Sequence, residues 1–196
     1  SGLDWLENYK RPISVTAKSY YGTKLKNLTL SRGFVRPPGE IYKYQSGNTQ
    51  LLGLLLERAV GESLSSYAGR VLWSKIGAKH NAIWALDCDG GVEKAFCCFN
   101  SNARDFSKIG LLMLNRGEGV VSKKYIDWLL SVPVLVDGDN PNQIVDHYSN
   151  GWWVARVLEK NIFYARGFLG QYIVIIPEMN LVFVRLGMRE DDKSEL

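Results

Sequence analysis

The stretch IYKYQSGNTQLLG, residues 41–53, sets a phenol and a hydroxyl, Tyr44 and Ser46, at the mouth of a helix. Tyr44 follows the Pro-Gly-led loop RPPGE, and Asn48 or Thr49 can cap the strongly apolar run that comes next. A tyrosine in that position serves one of two ends. It packs beside a helix start, or it exchanges protons with a nucleophile. A free phenol titrates near pH ~10, so the second use needs a cation that favours the phenolate. It also needs a nucleophile. The nearest approach to a Gly-x-Ser-x-Gly elbow is GESLS at 61–65, which lacks the second glycine and reads as a helix cap. Ser-x-x-Lys occurs nowhere in the 196 residues.

The elements that must position these groups are legible in outline. Residues 1–40 read as irregular, punctuated by Pro12, Gly22, Gly33, Pro37 and Pro38. A helix follows over NTQLLGLLLERAV, closed by Gly61. A second, LSSYAGRVLWSKI, is capped by Ser63 and closed by Gly77. ARDFSKIGLLMLNR sets Phe106, Ile109, Leu112 and Met113 on one helical face and ends at Gly117, and Ser122 caps KKYIDWLL. Arg104-Asp105 at a helix start reads as a favourable dipole partner. Beyond the polar loop VDGDNPNQIVDH come four short β-rich pieces, GWWVARVL, NIFYAR, GQYIVIIP and NLVFVRLG. Their connectors are short enough for hairpins, so an antiparallel meander of three or four strands is expected. Helices first and strands last make an α+β fold. The expected organisation is a mostly helical region over 1–146, strands over 147–190 and a charged tail over 191–196.

Composition narrows the function classes. With 46% hydrophobic and 22% charged residues the chain is globular rather than disordered. Its net charge of +4 is scattered, with no basic run longer than a pair, so no nucleic-acid footprint is expected. The locally basic first 43 residues give only mild support for an anionic partner. Cys88, Cys97 and Cys98 are odd in number and two are adjacent, which argues for buried thiols rather than a disulfide framework. His80 and His147 are isolated and share no ligand spacing with the thiols, so neither a metal nor another cofactor is expected. No apolar run reaches the length of a membrane helix. The opening SGLDWLENY lacks an initiator methionine and reads as the interior of a longer polypeptide.

Four stretches, in order along nearly the whole chain, resemble the serine β-lactamase and penicillin-binding-protein superfamily. The nearer branch is that of class C-like esterases and 6-aminohexanoate-dimer hydrolases. They are SGLDW, PPGEIYKYQSGNTQLLGLLLERAVGESL, NARDFSKIGLLMLNRG and the closing strands from GWWV through FYARGFLGQYIVIIPEMNLVFVRLG. The resemblance implies a partial β-lactamase or transpeptidase-like fold of bacterial origin. It implies acyl transfer from an amide or ester substrate, with Tyr44 as the catalytic tyrosine. Ser46 falls where many relatives carry Asn, and Ala165-Arg166-Gly167 falls where they carry Lys-Thr-Gly or His-x-Gly. An oxyanion-binding N–H is implied at Gly167 or Phe168. Ser46, Trp152, Arg166, Gly167, Phe168 and Gly170 are thus the implied substrate-side residues. Trp152 and Trp153 face opposite ways on a strand, and one of them is a pocket wall. The superfamily's Ser-x-x-Lys lies upstream of anything matching SGLDW. The chain is therefore expected to be inactive alone and to need an upstream segment or a second copy. The competing expectation is a truncated, non-catalytic binding module of the same fold. The periplasm and the cytoplasm are equally open.

Overall fold

The short β-rich pieces after residue 147 form the largest sheet among the described residues. The computed structural model describes residues 2–131, 135–138, 140 and 142–188; the charged tail lies outside the described residues. Elements in chain order are helices α1 (Val15–Tyr21) and α2 (Leu25–Leu30), strand β1 (Ile41–Tyr42), and helices α3 (Ser46–Val60) and α4 (Leu64–Ala68). The hairpin strands β2 (Ile83–Trp84) and β3 (Phe99–Asn100) precede α5 (Ala103–Leu114) and α6 (Lys123–Leu129). The short strands β4 (Leu135–Asp137), β5 (Ile144–Val145) and β6 (Tyr148–Ser149) lead into β7 (Trp152–Val157), β8 (Lys160–Gly167), β9 (Gln171–Ile176) and β10 (Leu181–Arg185). Among the described residues no helix is long and apolar enough to cross a membrane.

The described residues form two compact units. One comprises those up to Arg70 with Ala82–Asn100 and Leu135–Ile144, and the other Val71–Asn81 with those of Ser101–Val134 and Val145–Leu196. The helices α5 and α6 thus group with the C-terminal strands.

In the first unit the expected irregular lead contains two helices, α1 and α2, whose starts are satisfied by one nearby and one distant polar side chain. Ser14 caps α1 by accepting the Ala17 N–H at 3.0 Å. The Asp87 carboxylate accepts the Leu25 N–H at the start of α2 from 62 residues away. Strand β1 pairs in parallel with β4, so the loop read as merely polar contributes a strand. Beside the apolar Leu3, Trp5, Leu25, Leu54 and Leu64, this unit buries the polar Thr16, Ser19, Thr29, Gln45, Ser46, Gln50 and Glu93. Such groups are tolerated because they are hydrogen-bonded. Gln50, fully buried, accepts the Ala95 N–H and donates to the Glu93 carbonyl, pinning the loop between β2 and β3 to α3.

In the second unit β10-β9-β8-β7-β6 form an antiparallel sheet, one two-residue strand more than the sequence suggests. The turns obey the twist of the strands. Leu158 and Glu159 both take positive φ between β7 and β8, as a two-residue hairpin requires. The register Val154↔Phe163↔Ile175↔Val182 puts these four side chains on one face. Val154, Phe163 and Ile175 form the core cluster with Met113 of α5 and Ile126 of α6. Gly110 is what lets α5 approach: a Cβ there would stand 2.5 Å from Val182 Cγ1 and 3.3 Å from Ile173 Cγ2. Gly110→Ala is expected to lower stability by about 1–3 kcal/mol through overpacking, despite the gain in helix propensity. Urea denaturation of the two proteins checks the sign.

Candidate active site

Tyr44 stands two residues ahead of α3, half exposed, where β1 and the following loop deliver it. The helix begins at Ser46, earlier than the sequence reading with Asn48 or Thr49 as cap. The reason is a cap from elsewhere. The residue before the helix, Gln45, gives no side-chain bond to the first turn. Its amide instead donates to the carbonyls of Leu3 at 3.0 Å and Trp5 at 2.5 Å, tying the chain start to the helix start. The Glu7 carboxylate does the capping. Its Oε2 accepts the Ser46 N–H and the Trp5 indole N–H, both at 3.0 Å. Its Oε1 accepts the Ser46 hydroxyl at 2.6 Å and the Tyr9 phenol at 2.7 Å. Each oxygen therefore serves two donors, and a negative charge sits at the positive end of a four-turn helix. A Cβ at Gly47 would run into the Trp5 ring, so the indole and the first turn of α3 are in close contact.

Three phenols surround this carboxylate. The Tyr9 and Tyr20 rings lie 6.2 Å apart, and Tyr20 meets Phe96 edge-on at 5.0 Å. Burial, then the Glu7 charge, pushes the Tyr44 hydroxyl above the usual phenol value. Burial, then the charges of Tyr44 and Glu7, does the same to Tyr20. Burial and its bond to Glu7 raise Tyr9 further still. At neutral pH all three are protonated donors. The Lys94 ammonium is committed to the Tyr20 carbonyl at 2.6 Å. Glu7, Tyr9 and Tyr20 were not singled out by sequence reasoning, because no spacing links residues 7, 20 and 44.

The remaining expected site residues lie in the second unit. Trp152 packs against the core cluster. Trp153 takes the other face, stacking with Tyr164 at 6.4 Å and meeting Tyr148 edge-on at 5.1 Å. Register resolves which of the pair faces inward, and it is Trp152. Arg166 is exposed, opposite Tyr172 and on the Tyr164 side of the sheet. The strand carrying it, β8, is central rather than an edge. Yet the β7–β8 ladder stops at Trp153↔Tyr164, so Ala165 to Gly167 run past it with only β9 paired to them. Gly167 pairs with Gln171, and a Cβ at Gly167 would stand 2.9 Å from the Gln171 Cβ. Phe168 is well exposed in the turn to β9, which Leu169 and Gly170 complete with positive φ.

The cysteines depart from expectation. Cys97 and Cys98 are joined by a disulfide and Cys88 is exposed, so they are not three buried thiols. The left-handed backbone at Cys98 accompanies the bond between neighbours, in a loop where Trp84 donates its indole N–H to the Lys94 and Cys97 carbonyls. His80 is bonded to Asp105 at 2.9 Å rather than to a thiol. Among the described residues no three His, Cys, Asp or Glu side chains gather as metal ligands.

Comparison with known proteins agrees with this architecture. The chain is 27% identical over 168 residues to the 6-aminohexanoate-dimer hydrolase of Paenarthrobacter ureafaciens, a match covering 76% of this chain and 40% of that protein. Its fold is similar to a provisionally assigned beta-lactamase of Bacteroides dorei DSM 17855, with a TM-score of 0.66 at 15% identity over 96% of this chain and 62% of the other. A penicillin binding protein of Bacillus halodurans gives 0.60 at 17% identity, over 87% and 60%. The chain thus spans 40% of the length of the hydrolase and about three fifths of each solved structure. The beta-lactamase family profile matches residues 1–195, both units and every element described above, and the chain belongs to that family.

Proposed function

We infer that this chain carries the tyrosine part of a serine hydrolase that cleaves amide or ester bonds through an acyl-enzyme. The observation that carries the reading is the placement of Tyr44 and Ser46, a phenol two residues ahead of α3 and a hydroxyl on its first residue, in a chain matched by a family of serine acyl-transfer enzymes. A serine attacks the carbonyl, the leaving group departs with a proton, and water releases the acyl group. Tyr44 supplies and recovers the proton. Burial and Glu7 keep its phenol protonated, which suits the donor half of that cycle. The receiving half needs a cation close to the oxygen, the role of the lysine in Ser-x-x-Lys. That motif is absent from the 196 residues, so the nucleophile and its lysine belong to polypeptide outside them. One backbone N–H, at Gly167 or Phe168 where β8 runs past β7, is this chain's oxyanion donor, and the other belongs to the nucleophile serine. Ala165 stands where the family carries its lysine or histidine, and the loss of that cation favours linear amides and esters over β-lactams.

The test starts with mass spectrometry of the natural protein, to establish whether Ser-x-x-Lys precedes Gly2. The natural polypeptide and the 196-residue chain are then mixed with a p-nitrophenyl ester, a linear aminohexanoate dimer and a chromogenic cephalosporin. The expected result is an ester burst and dimer cleavage by the longer polypeptide, with acylation at its Ser-x-x-Lys serine and no turnover by the 196 residues. A burst from the short chain overturns the reading. So does a natural product without the motif, which would instead fit a non-catalytic binding module.

A further inference from the structure

The Glu7 carboxylate is a charged group half-buried between the chain start and the first turn of α3, and the reaction just described gives it no step. Its four donors come from three places: the indole of Trp5, the phenol of Tyr9, and both the amide and the hydroxyl of Ser46. A residue serving only as a helix cap takes one or two backbone N–H groups. This one also fixes two hydroxyls whose orientations would otherwise be free. Ser46 is 5% exposed and Trp5 2%, so neither donor has water as a ready substitute.

We propose that Glu7 is a positioning residue for the tyrosine site: by binding Ser46, Trp5 and Tyr9 together it sets where α3 begins, and so where the Tyr44 phenol stands and which hydroxyl stands beside it. The inference rests on the reading of Tyr44 as the proton-transfer residue. Glu7 touches no reacting atom in it. Its charge has a second effect: it adds to the burial that already raises the Tyr44 and Tyr20 phenols. One side chain 37 residues upstream of Tyr44 thus acts on both its position and its protonation.

Glutamine separates the two effects. With its oxygen toward Ser46 N–H and Trp5, its amide faces two hydroxyls, and either can rotate to accept. Glu7→Gln therefore keeps the cap and loses the charge, Glu7→Ala loses both, and Glu7→Asp tests reach. The experiment follows tyrosine Cζ resonances through alkaline titration, with Tyr44 assigned from Tyr44→Phe, together with amide exchange at Ser46. Glu7→Gln is expected to lower the Tyr44 titration and leave Ser46 protected. Glu7→Ala is expected to speed Ser46 exchange about fivefold to tenfold while α5 stays protected. In the natural full-length enzyme, Glu7→Gln is expected to move the alkaline limb of kcat/KM to lower pH. An unchanged Tyr44 titration in Glu7→Gln, or unchanged Ser46 exchange in Glu7→Ala, overturns the proposal. If Glu7→Ala fails to fold, Glu7→Asp decides: its carboxylate is one methylene short of the four donors, so Ser46 exchange should quicken while α5 stays protected, and unchanged Ser46 exchange overturns the proposal. Retained activity in full-length Tyr44→Phe would defeat the functional reading alone, since the titration and exchange results do not depend on turnover.

Discussion

Tyr44→Phe in the polypeptide that carries the nucleophile is expected to lower kcat/KM by about 10²–10⁴-fold, the usual contribution of one positioned proton-transfer group. The change removes one oxygen from a half-exposed ring, so the melting temperature should move little. The loss should fall mainly on kcat, because the phenol's hydrogen bond matters when the proton is in flight rather than when substrate first binds. Its size should also depend on the leaving group. An activated p-nitrophenyl ester expels an anion that needs no proton, whereas an amide expels an amine that does. The substitution should therefore damage amide cleavage more than ester cleavage. Phenol protonation gives this its pH dependence. Burial and Glu7 raise the Tyr44 hydroxyl, so as a donor it is competent across the neutral range and fails only on the alkaline side. Kinetics on both substrates, with circular dichroism as the fold control, make the check. A loss below tenfold on both substrates would remove Tyr44 from proton transfer and leave it as packing, while large but equal losses would confine its role to the serine and take the leaving group away from it.

The α+β class, the four long strands and the starts of α4 and α6 were all legible in sequence. What decided them lies within a few residues: the β-branched and aromatic run of GQYIVIIP bounded by turn residues, and the serines at 63 and 122 that accept an N–H three residues on. The misplaced starts have the opposite character. α2 takes its cap from Asp87 and α3 from Glu7; α4, whose start was legible from Ser63, gains a distant partner as well in Glu93, which accepts the Ser65 N–H from the β2–β3 loop. These carboxylates lie 28 to 62 residues from the amides they serve. No window along the sequence contains both partners. The same holds for the candidate site. Tyr44 and Ser46 could be named because they sit in one recognisable stretch, while Glu7, Tyr9 and Tyr20 join them only through folding. Trp152 and Trp153 show the intermediate case. Alternation establishes that they diverge, but only the pairing of β7 with β8 and the cover from α5 and α6 decide which one is buried. The Cys97–Cys98 bond depends on the left-handed backbone at Cys98, which nothing in FCCFN announces.

The other large effect concerns Asp105, 2% exposed at the start of α5. Read as a dipole partner, it does considerably more. Its Oδ1 accepts the Lys79 N–H at 2.9 Å. Its Oδ2 accepts the His80 N–H at 3.0 Å and the Asn102 amide at 2.7 Å, and lies 2.9 Å from the His80 imidazole. Asn102 in turn caps the helix by accepting the Asp105 N–H. One carboxylate thus ties residues 79–80 to the first turn of α5. Asparagine cannot replace it, because its NH₂ would confront N–H donors on whichever side it lay. Asp105→Asn is expected to lower the melting temperature at pH 7 by about 5 °C or more. The pH dependence follows from the titration. The Lys79 N–H first, with the Asn102 and His80 contacts outweighing the cost of desolvation, holds the Asp105 carboxyl well below the ordinary carboxylate range. In the unfolded chain it titrates near pH ~3.9. A depressed folded value means that the stabilisation is complete above the unfolded value and is lost as pH falls toward the folded one. The melting-temperature gap between wild type and Asp105→Asn should therefore be constant from pH 7 to about pH 5 and narrow progressively below about pH 4. Other carboxylates titrate in both proteins and cancel in the difference. A gap that stays flat down to pH 2 would mean that the Asp105 charge contributes nothing, and that its bonds hold α5 equally well when protonated.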